Sequence, residues 1–203
     1  MLQASDVQLI LASASPARAA MLAAAGVRGE QRPAAIDEAD MKEALRADGV
    51  APGDAALAVA ELKARRIVSR APGSLVIGAD QILTCEGQWF DKPRNLDEAR
   101  AQLAALAGRR HELWTAAIVI RDDARLWHEI AQARLWLRPC SDAFLDAYLD
   151  AVGALALGSV GAYQIEGLGV QLFARIEGDR FAILGLPLIG LLECLRVQGV
   201  LLR

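Results

Sequence analysis

The stretch Leu9-Ile10-Leu11-Ala12-Ser13-Ala14-Ser15-Pro16-Ala17-Arg18-Ala19-Ala20-Met21-Leu22 decides the fold. Its apolar start reads as a buried strand that ends in small residues and turns through two serines into a helix. Ser15 suits an N-cap, and Pro16 suits the first helical position because it has no N–H to lose. Ala19 to Ala25 propagate the helix, and Gly26 stops it. The short strand-to-helix turn leaves backbone N–H groups at the positive end of the helix dipole, where Ser13, Ser15 and Arg18 gather. Such a turn suits a phosphate, and it equally suits a plain capped βα unit. These residues alone leave both readings open.

Working outward, Ala39 to Ala47 is helix-permissive, and Asp54 suits the cap of a second helix running to about Ser69. Leu57, Ala60, Ala64, Ile67 and Val68 form its apolar stripe. Leu75-Val76-Ile77-Gly78-Ala79-Asp80 reads as a buried strand ending abruptly on a carboxylate. Gln81 to Thr84 and Gln88 to Phe90 flank Glu86-Gly87 as a hairpin. Asn95 caps a helix, with Glu98 completing a capping box and Gly108 as its stop. His111–Ile120 and Leu126–Leu137 are strand candidates, and Ser141 caps a helix to about Val152. Residues 158–169 read as a glycine-rich loop, Gly169–Ile176 as a strand, and Leu188–Val197 as a final helix. The pattern predicts one α/β domain over residues 1–203, built around a mixed sheet.

Length and composition bound the function. The 203 residues suffice for one sizeable core or two small lobes. A hydrophobic fraction of 54% and a mean hydropathy of +0.27 indicate a globular chain. No apolar run reaches the roughly 18 residues that span a bilayer, so no membrane association is expected. Met1-Leu2-Gln3-Ala4-Ser5-Asp6 lacks the basic and apolar blocks of a secretory leader. Cys85, Cys140 and Cys194 are scattered, odd in number and not spaced for metal, which suits reduced cysteines and a cytoplasmic location. A net charge of −3 argues against nonspecific nucleic-acid binding. Lys42, Lys63 and Lys92 are the only lysines in an arginine-rich chain, a pattern that draws attention to them and equally suits codon bias.

A carboxylate held rigidly by a buried strand is a usual metal ligand or general base, and Asp80 is the best such candidate; a turn cap is the plainer alternative. Asp37-Glu38 is a second acidic pair, and most such pairs are solvated. His111 reads as a polar strand residue. Taken jointly, these groups supply two carboxylates for a divalent cation and several cationic or hydroxyl groups for phosphates, the parts that phosphoryl transfer needs.

At this point the sequence resembles the Maf family of nucleoside triphosphate pyrophosphatases over nearly its whole length. The resemblance rests on Leu11-Ala12-Ser13-Ala14-Ser15-Pro16-Ala17-Arg18, Ile36-Asp37-Glu38, Glu61-Leu62-Lys63-Ala64, Ile77-Gly78-Ala79-Asp80-Gln81 and Lys92-Pro93. It continues in Gly108-Arg109-Arg110-His111, in Gly161 to Gly167 and in Gly185-Leu186-Pro187-Leu188. It implies an elongated mixed sheet with helices forming two lobes around a central cleft. It also implies cleavage of the α–β phosphoanhydride of a nucleoside triphosphate, dependent on a divalent cation (Mg²⁺, Mn²⁺ or Co²⁺). Asp80 would be the general base and a metal ligand, and Glu38 a second metal ligand. Ser13, Arg18, Lys63 and Lys92 would hold the triphosphate. A homodimer is implied by the resemblance alone.

Ala17, Gln81 and Glu166 occupy the positions at which the family divides. Members resembling dTTP/UTP pyrophosphatases carry Arg, Thr and Gln there. Those resembling 7-methyl-GTP pyrophosphatases share the Gln and Glu found here. A carboxylate suits guanine, whose N1–H and exocyclic amine are adjacent donors. The departures are Ala17, where that branch carries a large aromatic, and Ala19, where an arginine usually follows Arg18. They widen the expected range to other purine or general triphosphates. Two alternatives stand beside this expectation: a dTTP/UTP or broad-range pyrophosphatase of the same family, and a septum-formation regulator acting by binding.

Overall fold

The computed structural model describes residues 2–3 and 7–203. The leader expectation concerns Met1 and residues 4–6 as well, and these lie outside the described residues. The fold is α/β, as expected, with seven strands in one mixed sheet and seven α-helices among the described residues. The strands are β1 (Leu9–Leu11), β2 (Glu30–Gln31), β3 (Leu75–Cys85), β4 (Gln88–Phe90), β5 (Arg110–Arg121), β6 (Ala124–Leu137) and β7 (Phe173–Glu177). The helices are α1 (Pro16–Ala24), α2 (Glu38–Ala47), α3 (Pro52–Val68), α4 (Leu96–Leu106), α5 (Asp142–Val152), α6 (Arg180–Ile183) and α7 (Leu188–Val197). Strand order is β2-β1-β3-β5-β6-β7, with β4 paired to β3. β1 is parallel to β2 and β3, while β3–β4 and β6–β7 are antiparallel. No described helix is long and apolar enough to cross a membrane.

Two compact units are assembled from separated segments. The first comprises residues 1–81, 115–131 and 179–203, and the second comprises residues 82–114 and 132–178. The first unit explains why its strands read as continuous apolar runs: helices cover both faces. Leu9, Leu11, Leu75 and Ile77 face one core with Leu22 of α1 and Leu191 and Leu195 of α7. Ile10, Val76, Ile118 and Ile120 face the other, against Ala60, Ala64 and Ile67 of α3. Each fully buried side chain of this size contributes roughly 1.5–3 kcal/mol. Gly78 sets the spacing on the α3 side, where a Cβ would lie 2.0 Å from the Ala60 carbonyl oxygen.

In the second unit, Cys85 and Gln88 close a two-residue hairpin at Glu86 (φ 52°) and Gly87 (φ 82°), both left-handed as a type I′ turn demands. Asn95 caps α4 by accepting from Glu98 N. Glu98 reaches the backbone N–H of Arg94, one residue short of the reciprocal capping-box bond. His111 is buried, and its Nε2 lies 2.7 Å from the Tyr163 hydroxyl; Phe173 packs edge-on to Tyr163. All three cysteines are free thiols.

Four local expectations are corrected. β3 does not stop at Asp80; it runs unbroken to Cys85, because lysines from two helices neutralise the carboxylate inside the sheet. α3 is capped three residues earlier than expected: Ala51 precedes it, Pro52 opens it with a preset φ, and Asp54 lies in its first turn. Residues 168–172 form a 3₁₀ turn, so β7 begins only at Phe173. Residues 160–162 also wind into a 3₁₀ turn within the expected loop, and residues 153–158 form another that leads into it.

Candidate functional site

The turn after β1 is built as its sequence requires. Ser15 accepts from Arg18 N, and Pro16 opens α1. Gln31 of β2 pins the turn by donating to the Ser13 carbonyl at 2.9 Å. β1 ends at Leu11 opposite Ile77, so beyond that point its pairing leaves the edge of β3 uncovered. Arg18 stands at that edge: its Nη1 donates to Ala79 O at 3.0 Å and to Ser13 Oγ at 2.9 Å, and its Nε donates to Gly185 O at 2.8 Å.

These bonds fix which atoms remain for a ligand. Ser13 Oγ accepts from Arg18 Nη1 and from Ser15 N, so both lone pairs are engaged and its proton is the uncommitted part. Arg18 Nη2 makes no hydrogen bond among the described residues. Burial lowers the pKa of Arg18, and the charges of Asp80 and Glu38 partly offset that fall. The turn therefore presents donors, which suits an anion.

On the α3 face of β3, Lys63 Nζ bridges two carboxylates, lying 2.7 Å from Asp80 Oδ1 and 2.7 Å from Glu38 Oε2. Lys42 of α2 adds a second ammonium 3.1 Å from Asp80 Oδ2. Asp37 caps α2 and so aims Glu38, the first residue of that helix, toward Lys63. Lys42, Lys63 and Asp80 are all buried. Burial pushes the Asp80 carboxyl up, but Lys42, Lys63 and Arg18 together outweigh that and hold it below the usual carboxylate range. The group is ionised at neutral pH.

Successive strand residues face opposite sides, so Gln81 leaves β3 toward α6. Its Nε2 donates to Thr115 Oγ1 at 2.8 Å and to the Ala182 and Ile183 carbonyls at 3.2 and 3.1 Å.

Thus Ser13, Arg18, Glu38, Lys63, Asp80 and Gln81 are placed by one unit around the β1 turn and the adjoining length of β3. Ala17 is half-buried in the first turn of α1. Lys92 and Glu166 are exposed and belong to the second unit, Lys92 two residues beyond β4 and Glu166 between two 3₁₀ turns. The sequence gives no role to Lys42, Gln31 or Thr115. The scarcity of lysine did point to Lys42; Gln31 and Thr115 carried no signal. Among the described residues no three His, Cys, Asp or Glu side chains gather as a ligand set. Two carboxylates are nevertheless what Mg²⁺ takes from a protein when substrate phosphates supply the other oxygens, and Asp80 Oδ2 is a buried oxygen that accepts no hydrogen bond and is met only by the Lys42 ion pair among the described residues. The donor set fits such a cation.

The chain belongs to the Maf family: its residues 8–198 match the family described as Maf-like protein. The chain is 50% identical over 195 residues to a nucleoside triphosphate pyrophosphatase of Granulibacter bethesdensis, covering 96% of this chain and 99% of the relative. It is 50% identical over 194 residues to another of that name from Rhodospirillum rubrum, covering 96% of each. A 7-methyl-GTP pyrophosphatase of Rhizobium meliloti is 48% identical over 193 residues, covering 95% of this chain and 97% of the relative.

Proposed function

We propose that the protein, acting as one functional domain over residues 1–203, hydrolyses the α–β phosphoanhydride of nucleoside triphosphates with guanine-type bases. The observation that carries this reading is the Lys63 bridge between Asp80 and Glu38, set beside a turn that leaves the Ser13 hydroxyl proton and Arg18 Nη2 as donors. In the reaction Asp80 takes a proton from water as its oxygen bonds to the α-phosphorus. The bond from that phosphorus to the bridging oxygen breaks, and pyrophosphate leaves with the electron pair. A divalent cation held by Glu38 and Asp80 would supply charge neutralisation on the phosphate oxygens.

Held by three cations, Asp80 is ionised but weakly basic. Phosphates that draw Lys42 and Lys63 toward themselves remove two of the charges depressing its pKa, so basicity rises when substrate is present. Ser13 Oγ–H and Arg18 Nη2 hold phosphate oxygens, and the family resemblance gives Lys92 the same task. Glu166 accepts from guanine N1–H and the exocyclic amine, while Ala17 offers no ring to stack on the base. The names of the relatives agree with this activity, and one of them carries the methylated guanine in its name.

The test is pyrophosphate release from 7-methyl-GTP, GTP, dTTP and UTP, with Mg²⁺ or Mn²⁺ and with chelator. Faster turnover of the guanine nucleotides and loss of activity on chelation are expected. A dTTP preference refutes the base assignment, and activity indifferent to chelator refutes the cation.

A further inference from the structure

The amide of Gln81 is polarised by its surroundings, and we infer that Thr115, acting with the Ala182 and Ile183 carbonyls, seats this amide and so positions the site to select bases carrying an N–H donor. The inference rests on the proposed pyrophosphatase reading and adds a determinant to it. Thr115 is 1% exposed, and its hydroxyl proton is committed to Ala182 O at 2.8 Å. Toward Gln81 it can therefore only accept. The Ala182 and Ile183 carbonyls can only accept as well. All three face Gln81 Nε2 at 2.8–3.2 Å, so two amide hydrogens serve three acceptors, one of them shared.

A flipped amide would set Oε1 against two carbonyl oxygens and a hydroxyl whose proton is already committed, with no donor to meet it. The nitrogen is consequently locked inward. Oε1, on a half-buried side chain, accepts no hydrogen bond among the described residues and is the part left for a ligand. A neutral, fixed acceptor complements a base amine or ring N–H. It is repelled by the carbonyls on either side of the single N–H of uracil and thymine.

α6 supplies two of the three acceptors. It is a single turn whose start is fixed by Asp179, which accepts from Phe181 N and Ala182 N. Thr115 supplies the third from β5, and it is the acceptor that a side-chain change can remove.

The experiment compares kcat/KM for GTP over kcat/KM for UTP in the wild type and in Thr115→Val, Thr115→Ala, Thr115→Ser and Gln81→Ala, with thermal unfolding of each. Losing the hydroxyl removes the shortest of the three contacts and lets the amide shift between the two carbonyls that still hold its nitrogen inward, displacing Oε1, so whichever of Thr115→Val and Thr115→Ala is folded should lose about tenfold in this ratio, mainly through KM. Thr115→Ser keeps the acceptor and should retain the wild-type ratio, a rescue that loss of packing alone would not give. A folded Thr115→Val or Thr115→Ala with the wild-type ratio, beside a Gln81→Ala that has lost it, overturns the lock and leaves the base reading by Gln81 intact. An unchanged ratio in Gln81→Ala overturns both. Absence of pyrophosphate release from the wild type overturns the proposed activity itself, and the inference with it.

Discussion

Adding one methyl group at Gly78 tests the packing on which the whole site rests. The Cβ of Gly78→Ala would stand 2.0 Å from Ala60 O and 3.0 Å from both Ala60 C and Ala64 Cβ. The nearest of these is helix backbone and has no rotamer by which to yield. Bringing 2.0 Å to a tolerable 3.0 Å requires α3 to retreat from β3 by about 1 Å, and overpacking of this kind costs about 1–3 kcal/mol. Lys63 rides on the same helix. A retreat of that size stretches its 2.7 Å contact with Asp80 Oδ1 to roughly 3.7 Å, beyond hydrogen-bonding range. Misplacement by about 1 Å costs about 100-fold in rate where positioning matters. We therefore expect a fall of about 1–3 kcal/mol in urea unfolding with an unchanged m-value. Pyrophosphate release should fall about 100-fold in kcat/KM. Adding Ala64→Gly should not rescue the variant, because it relieves only the weaker clash. Wild-type stability and turnover in Gly78→Ala would refute the close α3–β3 approach, and wild-type turnover with reduced stability would refute the need for an exactly seated Lys63.

Three further outcomes follow from particular contacts. Asp80→Asn should lower turnover at least 1,000-fold, roughly the upper range of a lost general base, and should cost about 3 kcal/mol by leaving buried ammonium groups uncompensated; near-normal hydrolysis ends the assignment. The carboxyl's depressed pKa contributes stability above its unfolded value that is lost as pH falls through the folded one, so this variant should show a weaker acid decline in urea titrations. Burial lowers the pKa of His111 from 6.5 to about 4, and the unfolded chain therefore binds a proton first. Stability should fall from about pH 6.5 to about pH 4, by on the order of 3 kcal/mol, and His111→Gln should flatten that slope in circular-dichroism melts; an equal slope in both proteins contradicts it. Ser15→Ala removes the cap of α1 and should cost about 1 kcal/mol in chemical denaturation, while a loss below a few tenths would mean the cap contributes nothing.

The parts legible in the sequence were those fixed by neighbours along the chain. The capped turn at Ser15-Pro16 and the hairpin at Glu86-Gly87 are local, and local chemistry specifies them. Asp80 was recognisable because a carboxylate in an apolar run is anomalous. Its setting was misread because the compensating charges come from residues 17 and 38 positions earlier, on two helices. Asp54 misled because its cap signal competed with Pro52, whose fixed φ starts the helix sooner. Thr115 and Gln31 gave no warning, since an ordinary polar residue becomes part of a site only through partners that tertiary structure brings to it.

Arg18 is synthesised 167 residues before Gly185, whose carbonyl accepts from its Nε. The unit holding both is completed only by residues 179–203. During synthesis the helix bearing Arg18 thus waits through 167 residues for the acceptor of its Nε, with the buried faces of β1 and β3 lacking α7. A ribosome stalled before residue 179 would carry an exposed, half-covered sheet, the kind of surface that chaperones retain. Residues 179–203 therefore act as the step that commits this unit to its final form.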